Sequence, residues 1–379
     1  MSENPLKMLR KLGQSVWYDY IRRDIYTTDK LERLIREDGL AGMTSNPTIF
    51  QKAIAETDLY DEDIRRFAQE GNETARIFER LAVEDVRRAG DVFRGVHAET
   101  GGDDGFVSIE VAPKLAHDTD ATIAQARSLW KQCDRPNVMV KIPGTREGVP
   151  AIRSCLAEGI NINITLLFSV DRYREVMEAY LSAMEDRVKS GRPVEKIRSV
   201  ASFFVSRVDT NADKKIDAIL KDPATSEERR RRAKELRGKL AIANARLAYL
   251  AWEETLGGPR FAALKAKGVR TQRPLWASTS TKDPVYPELY YVEALIAPET
   301  VDTMPPETLE VYRQKGQPKV RIHDDLDGAR ATFSGLAEAG LDEKQIFREL
   351  EDEGVKKFSD SFDDLMKALE KKEKEMRVA

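Results

Sequence analysis

The chain has 379 residues, of which 41% are hydrophobic and 34% are charged, so it can bury a sizeable core beneath a polar surface. Its formal net charge of −3 at pH 7 provides no broad field that would attract nucleic acid or anionic lipid. Composition and charge therefore argue against a nucleic-acid-binding protein and against a membrane protein.

The N-terminal residues and the cysteines indicate the compartment. No apolar signal core begins the sequence, and no run of about 18 apolar residues occurs in it. Cys133 and Cys155 are too few for a disulfide framework, and the three histidines do not lie near them at metal-ligand spacing. We therefore expect a cytoplasmic protein without a metal site.

Short apolar runs, separated by longer charged segments, predict buried strands along the chain. The runs are rich in β-branched or aromatic residues, as strands covered on both faces are. In chain order they are residues 15–20, 40–45, 106–111, 138–143, 160–166, 200–205, 274–278 and 291–296.

Helical segments lie between most of these runs, which predicts a parallel sheet. Residues 118–131 and 171–190 carry apolar residues at three- and four-residue spacing, as amphipathic helices do. Eight strands favour a closed barrel over an open doubly wound sheet, and no glycine-rich phosphate loop follows the first run. The predicted fold is α/β, a (β/α)8 TIM barrel forming a single domain over residues 1–379.

Two segments exceed a minimal barrel. A helical insertion separates the sixth and seventh runs, and its EERRRR stretch at 227–232 predicts a solvated helix face rather than a nucleic-acid site. A C-terminal helical extension covers about 300–379, where Phe358, Phe362, Leu365 and Leu369 share one helical face. This face predicts packing on the barrel or on a second subunit.

Lys141 lies inside the apolar run 138–143. A lysine in an apolar strand is costly unless it is paired or neutral, and the neutral amine is the form that attacks a carbonyl. The alternative is that Lys141 lies at the strand end and reaches solvent past Pro143.

Two acids occupy comparable positions in other runs, Asp19 in the first and Glu110 in the third. Alternate residues of barrel strands point inward, and chemistry gathers at the carboxyl ends of the strands. Each acid by itself is typical of an ion-pair partner. Together with Lys141 they predict Schiff-base chemistry with acid–base support.

Further polar residues lie in or directly after other runs: Asn46, Thr165, Ser202 and Ser278. Asn46 precedes a proline, which disfavours helical geometry and also fits a simple turn. Arg207 follows the sixth run and Lys282 the seventh, so these cations are candidates for holding a phosphate. Surface ion pairing is the alternative for both.

The sequence resembles the transaldolase family at TSNPTIF (44–50), VSIEV (107–111), VMVKIPGT (138–145), NITLLFS (163–169) and ASFFVSR (201–207). The stretch ASTSTKDP (277–284) resembles the longer bacterial branch of that family. The resemblance implies a cofactor-free transferase of the pentose phosphate pathway, acting on sugar phosphates and often dimeric, so we expect a homodimer.

The resemblance also implies roles for residues at the strand ends. Lys141 matches the Schiff-base lysine, and Asp19 matches the aspartate that exchanges a proton with the hydroxyl at the cleaved bond. Glu110 matches the glutamate that works through a water molecule, which Thr165 helps to hold. The residues that hydrogen-bond the dihydroxyacetone unit are matched by Asn46 and Ser202.

The resemblance is less complete where the family binds phosphate. Arg207 matches a phosphate-binding arginine, and Ser278 matches a supporting serine. Many members carry a second arginine where this chain has Ser280. Lys282 could supply the missing charge.

Two other functions are compatible with such a barrel. Fructose-6-phosphate aldolases use the same barrel and lysine, but they carry glutamine where this chain has Glu110 and tyrosine where it has Phe204, so both residues favour transfer over release. A non-catalytic barrel that binds sugar phosphates is the other alternative, although a binding module has no reason to bury Lys141.

Overall fold

Eight parallel strands close into a barrel in the computed structural model, which describes residues 3–378. The strands are β1 (Gln14–Asp19), β2 (Gly42–Thr44), β3 (Phe106–Glu110), β4 (Val138–Pro143), β5 (Ile162–Leu167), β6 (Ser199–Phe204), β7 (Gln272–Ala277) and β8 (Thr300–Met304). Each strand pairs with the next, and β8 pairs with β1. The predicted TIM barrel is confirmed; residues 1, 2 and 379 of the predicted domain range lie outside the described residues.

Helices surround the barrel. They are α1 (Pro5–Lys11), α2 (Asp24–Thr27), α3 (Lys30–Arg33), α4 (Pro47–Ala55), α5 (Asp61–Gln69), α6 (Thr74–Val92), α7 (Arg94–Glu99), α8 (Thr119–Cys133), α9 (Gly148–Glu158), α10 (Val170–Lys189), α11 (Ser206–Lys221), α12 (Glu227–Leu236), α13 (Leu240–Gly257), α14 (Pro259–Lys265), α15 (Tyr290–Ala294), α16 (Pro306–Lys315), α17 (Leu326–Ser334) and α18 (Glu343–Val378). A π-helical turn covers Leu34–Asp38 and a 3-10 turn covers Pro113–Leu115. The predicted helices at 118–131 and 171–190 correspond to α8 and α10. Among the described residues, every helix is too short or too polar to cross a lipid bilayer.

Buried side chains and hydrogen bonds fill the amino end of the barrel. The fully buried Trp17 lies beside Gly42 in the β1–β2 register, and a Cβ added at Gly42 would lie 2.6 Å from the indole. The indole nitrogen donates a hydrogen bond to Asp104 at 3.1 Å, and the same carboxylate accepts from Ser15 and Arg273. Contacts at this end of a barrel serve stability. Here they support the strands whose other ends form a cavity.

The eighth strand differs from the prediction. Residues 291–296 do not form a strand, because they belong to α15 and the turn after it. Their buried side chains recur at helical spacing, as Tyr291, Val292, Leu295 and Ile296 show. The true β8 reads TVDTM and buries its polar residues, so it contains no apolar run, and the helical extension begins at Pro306.

Asp302 is a buried acid on β8. One carboxylate oxygen accepts a hydrogen bond from the Thr279 hydroxyl at 2.9 Å, while the other has no hydrogen-bond partner among residues 3–378. Burial raises the pKa of Asp302 to about 7, although the bond from Thr279 works in the opposite direction. Folding therefore favours the protonated form of the Asp302 carboxyl more than the unfolded chain does.

We expect Asp302 to make the free energy of unfolding depend on pH. Its folded pKa of about 7 lies above the unfolded value, so this stabilisation is present at low pH and is lost between about pH 4 and about pH 7. Urea unfolding of wild type should show a loss of at most about 1.4 kcal/mol in the free energy of unfolding per pH unit. Asp302→Asn should make this loss smaller. The exposed Asp327→Asn is the control; an unchanged pH dependence in Asp302→Asn would contradict the prediction.

The insertion between β6 and β7 consists of α11 to α14 and is anchored by an acid. The Asp209 carboxylate on α11 accepts hydrogen bonds from the Ala241 amide at the start of α13 and from the Tyr291 hydroxyl. A carboxylate at a helix N-terminus satisfies free amide groups there. The EERRRR stretch lies on α12 and is largely exposed, with Arg229 donating to the Ala339 carbonyl.

The last helix, α18, packs on its own barrel. Phe358, Leu365 and Leu369 are buried, and the Phe362 ring lies 5.6 Å from Phe78 on α6. The face thus packs on the barrel, which is one of its two predicted partners.

Candidate active site

A cavity of about 1550 Å³ opens at the carboxyl ends of the strands, where barrels carry their chemistry. The predicted site residues that line it are Asp19, Asn46, Lys141, Thr165, Ser202, Phe204, Arg207, Ser278 and Lys282. Glu110 does not line the cavity and instead lies against Lys141. The period of two along a strand accounts for the pairs that share the interior: Glu110 with Ser108, Thr165 with Asn163, and Phe204 with Ser202.

Lys141 is buried in the barrel interior. Its side chain is 7% exposed, its Nζ atom donates a hydrogen bond to the Ser45 carbonyl at 3.0 Å, and the same atom lies 3.4 Å from Glu110 Oε2. The alternative in which this lysine reaches solvent past Pro143 is wrong. The amine is instead held at the floor of the cavity.

Glu110 is a buried acid with spare hydrogen-bonding capacity. Burial raises the pKa of Glu110 above its usual range, and the charge of Lys141 partly offsets this effect. Its Oε2 atom and the Thr165 hydroxyl are both buried without a hydrogen-bond partner among residues 3–378. Buried polar atoms of this kind are the groups to which internal water molecules bind.

A bulge in β5 follows Thr165. The β5–β6 register shifts between Ile164 and Leu167, and Leu166 has a φ of 60°. Bulges near active sites redirect side chains, and the left-handed conformation of a leucine costs about 1–3 kcal/mol. Packing against α18 supports this conformation, since a Cβ added at Gly354 would lie 3.1 Å from Leu166.

Asp19 ends β1 and belongs to a chain of hydroxyl groups. Its Oδ1 atom accepts a hydrogen bond from Thr44 at 2.7 Å, and the Thr44 hydroxyl lies 2.6 Å from that of Thr303. Burial raises the pKa of Asp19, whereas the Lys141 charge and the Thr44 bond lower it. Thr303 was not predicted as a site residue, because the sequence pattern placed the eighth strand at residues 291–296.

Two amide side chains are fixed by neighbouring groups. The Asn163 oxygen accepts from Ser202 at 2.7 Å, and its nitrogen donates to Ser108 at 3.1 Å. Asn46 is the N-cap of α4, where its side-chain oxygen accepts from the Ile49 amide at 3.0 Å. Asn46 therefore does more than form a turn, since it caps α4 and also lines the cavity.

Cations line the wall of the cavity near β6 and β7. The Arg207 guanidinium lies 5.0 Å from the Phe204 ring and 5.7 Å from the Phe358 ring, and burial lowers the pKa of Arg207. Ser278, with a φ of 56°, holds its hydroxyl 2.9 Å from that of Ser206. Lys282 donates to the Ser280 hydroxyl at 2.7 Å. This wall can bind an anion.

Known proteins resemble the chain along nearly its whole length. The family model described as transaldolase/fructose-6-phosphate aldolase matches residues 16–369. A transaldolase of Frankia alni is 48% identical over 364 residues, 96% of each chain. Transaldolases of Mycolicibacterium smegmatis and Thermobifida fusca are each 46% identical, over 98% and 96% of both chains respectively. The chain therefore belongs to the transaldolase/fructose-6-phosphate aldolase family of enzymes.

Proposed function

We propose that this enzyme transfers a dihydroxyacetone unit from a ketose phosphate to an aldose phosphate through a Schiff base at Lys141. The donor would be sedoheptulose 7-phosphate or fructose 6-phosphate, and the acceptor erythrose 4-phosphate or glyceraldehyde 3-phosphate, as in the non-oxidative pentose phosphate pathway. The observation that supports this most is the buried amine of Lys141 beside Glu110, in a cavity that Asp19 also lines and that has cations on one wall. The homodimer and the cytoplasmic location stay predictions.

Imine formation uses Lys141 and Glu110. The neutral amine attacks the C2 carbonyl of the ketose to give a carbinolamine, and water then leaves with a proton that Glu110 supplies through a bridging water held by Thr165. A raised pKa suits Glu110 to this task because it increases the fraction of the carboxyl that carries a proton to donate. The product is a protonated imine, which withdraws electrons from the neighbouring C3–C4 bond.

Bond cleavage uses Asp19. Its carboxylate removes the proton of the C4 hydroxyl, the C3–C4 bond breaks, and the electron pair passes into the imine to give an enamine on Lys141. The aldose phosphate leaves. In the return direction the enamine carbon attacks the aldehyde of the acceptor, Asp19 returns its proton to the new hydroxyl, and hydrolysis frees the ketose product.

Borohydride trapping with intact-mass spectrometry tests this proposal. Incubation with fructose 6-phosphate and borohydride should add a three-carbon unit to wild type, and peptide mapping should place it on Lys141. An unmodified chain with intact sugar would overturn the Schiff-base mechanism and favour a non-catalytic barrel.

A kinetic assay separates transfer from aldolase activity. Product formation should depend on added erythrose 4-phosphate, because the enamine is retained until an acceptor arrives. Rapid release of free dihydroxyacetone without an acceptor would instead identify a fructose-6-phosphate aldolase.

A further inference from the structure

The helix α18 supplies part of the cavity wall, although it lies far from the barrel strands in sequence. Its lining residues follow three successive turns: Glu349 and Leu350, Glu353 and Gly354, Lys357 and Phe358. This four-residue spacing places them on one helical face. The face approaches closely at Gly354, where an added Cβ would lie 3.3 Å from the Phe168 ring. The extension is therefore part of the site and not only a cover for the outer helices.

Three cations that line the cavity near α18 lack an ion-pair partner. Arg207 and Lys357 form no hydrogen bond or ion pair with any residue that the structure describes, and Lys282 bonds only to the Ser280 hydroxyl. Of the other cations that line the cavity, Lys215 is paired with Glu349 at 2.6 Å and Arg22 with Asp24 at 2.7 Å, whereas Lys52 and Lys214 form no ion pair among residues 3–378. Like charges that lie near one another repel when none of them is held in an ion pair, so this cluster favours an anion.

Lys357 belongs electrostatically to the same cluster. The charge of Arg207 is the largest cause that lowers the pKa of Lys357, followed by partial burial and by the charge of Lys282. Asp19, Glu110 and Glu353 raise the pKa of Arg207 through their charges, but none of them forms an ion pair with it. Lys357 is exposed to solvent, but it lines the same cavity as Arg207 and Lys282 and lies within reach of their charges.

We infer that Lys357 is a phosphate-binding residue, which holds the phosphate group of the sugar phosphate together with Arg207 and Lys282. This inference rests on the proposed function. A phosphate dianion accepts several charge-assisted hydrogen bonds at once, and flexible lysines bind it as point charges. The helical extension thus takes part in selecting phosphorylated substrates.

The neighbouring Lys356 provides a matched control. It is exposed, pairs with Asp360 at 2.7 Å on the same helix, and does not line the cavity. The variants Lys357→Met and Lys356→Met each remove one charge from α18 while keeping the apolar stem. Lys357→Arg restores the charge.

Steady-state kinetics form the first measurement. Lys357→Met should raise KM for fructose 6-phosphate about tenfold and change kcat little, because one charge-assisted bond to phosphate is lost. Lys356→Met should match wild type, and Lys357→Arg should recover most of the loss. A merely structural role for Lys357 would not produce this separation of KM from kcat.

Binding of inorganic phosphate forms the second measurement and does not depend on turnover. Phosphate should raise the thermal midpoint of wild type and of Lys356→Met. Lys357→Met should need a phosphate concentration about tenfold higher for the same rise. Equal responses in the two methionine variants would overturn the inference. Absence of a trapped adduct on wild type would overturn the proposed function instead, so the two failures are distinguishable.

Discussion

Replacing Lys141 with alanine is expected to lower turnover by more than about 10⁴-fold, as loss of a covalent nucleophile does in other enzymes. Lys141 is the only lysine that is buried among residues 3–378, so we expect no other lysine of that range to replace it in the barrel interior. The variant should also lose the borohydride adduct. Coupled assays with fructose 6-phosphate and erythrose 4-phosphate, together with intact-mass spectrometry, measure both effects.

Two controls separate chemistry from folding in this experiment. Lys131→Ala removes an exposed lysine on α8 and should leave activity and the adduct unchanged. Lys141→Arg keeps a cation beside the buried Glu110 but cannot form an imine. A folded Lys141→Arg variant that still turns over would contradict the Schiff-base role.

Asp19→Asn is expected to lower turnover by about 10²–10⁴-fold while leaving imine formation intact, because general-base catalysis typically contributes that much. The asparagine oxygen can still accept the hydrogen bond from Thr44, so the shape of the site is kept. What is lost is the group that takes the C4 hydroxyl proton. The imine should then accumulate before the C3–C4 bond breaks.

The mass of the trapped adduct makes this prediction sharp. Borohydride should trap a six-carbon sugar phosphate on Asp19→Asn, where wild type yields a three-carbon unit. Asp24→Asn, which removes an acid paired with Arg22 outside the barrel interior, should behave as wild type. Failure of Asp19→Asn to form any adduct would show that Asp19 acts before or during imine formation.

Seven strands were predictable from sequence because their runs are apolar on both faces. The eighth was not, since three of the five residues of β8 are the polar Thr300, Asp302 and Thr303, which are buried with hydrogen bonds. The helix before it carries a stronger apolar signal than the strand itself. Apolar content therefore misplaced the strand by several residues.

The site was predictable where function depends on position at a strand end. Strand geometry explains why Asp19, Lys141 and Thr165 converge on one cavity. Lys357 could not be found in this way, because it lies on a helix whose lining face is defined by tertiary packing. Only Phe358 beside it was singled out, as part of an apolar stripe.

Closure of the barrel has a consequence for partial unfolding. The β1–β8 seam joins Gln14 to Thr300, a pairing that is distant in sequence and entropically costly to form. The chain of hydroxyl groups from Thr303 through Thr44 to Asp19 crosses this seam. Glu110 and Lys141 lie away from it, on the neighbouring strands β3 and β4 respectively. A fluctuation that opens the seam would separate Thr303 from Thr44 and Asp19, whereas Asp19 stays joined to Glu110 and Lys141 through β1 to β4. Under mild denaturing conditions Asp19 would then lose the support of Thr303 first, so carbon–carbon cleavage should weaken while the lysine still captures the ketose.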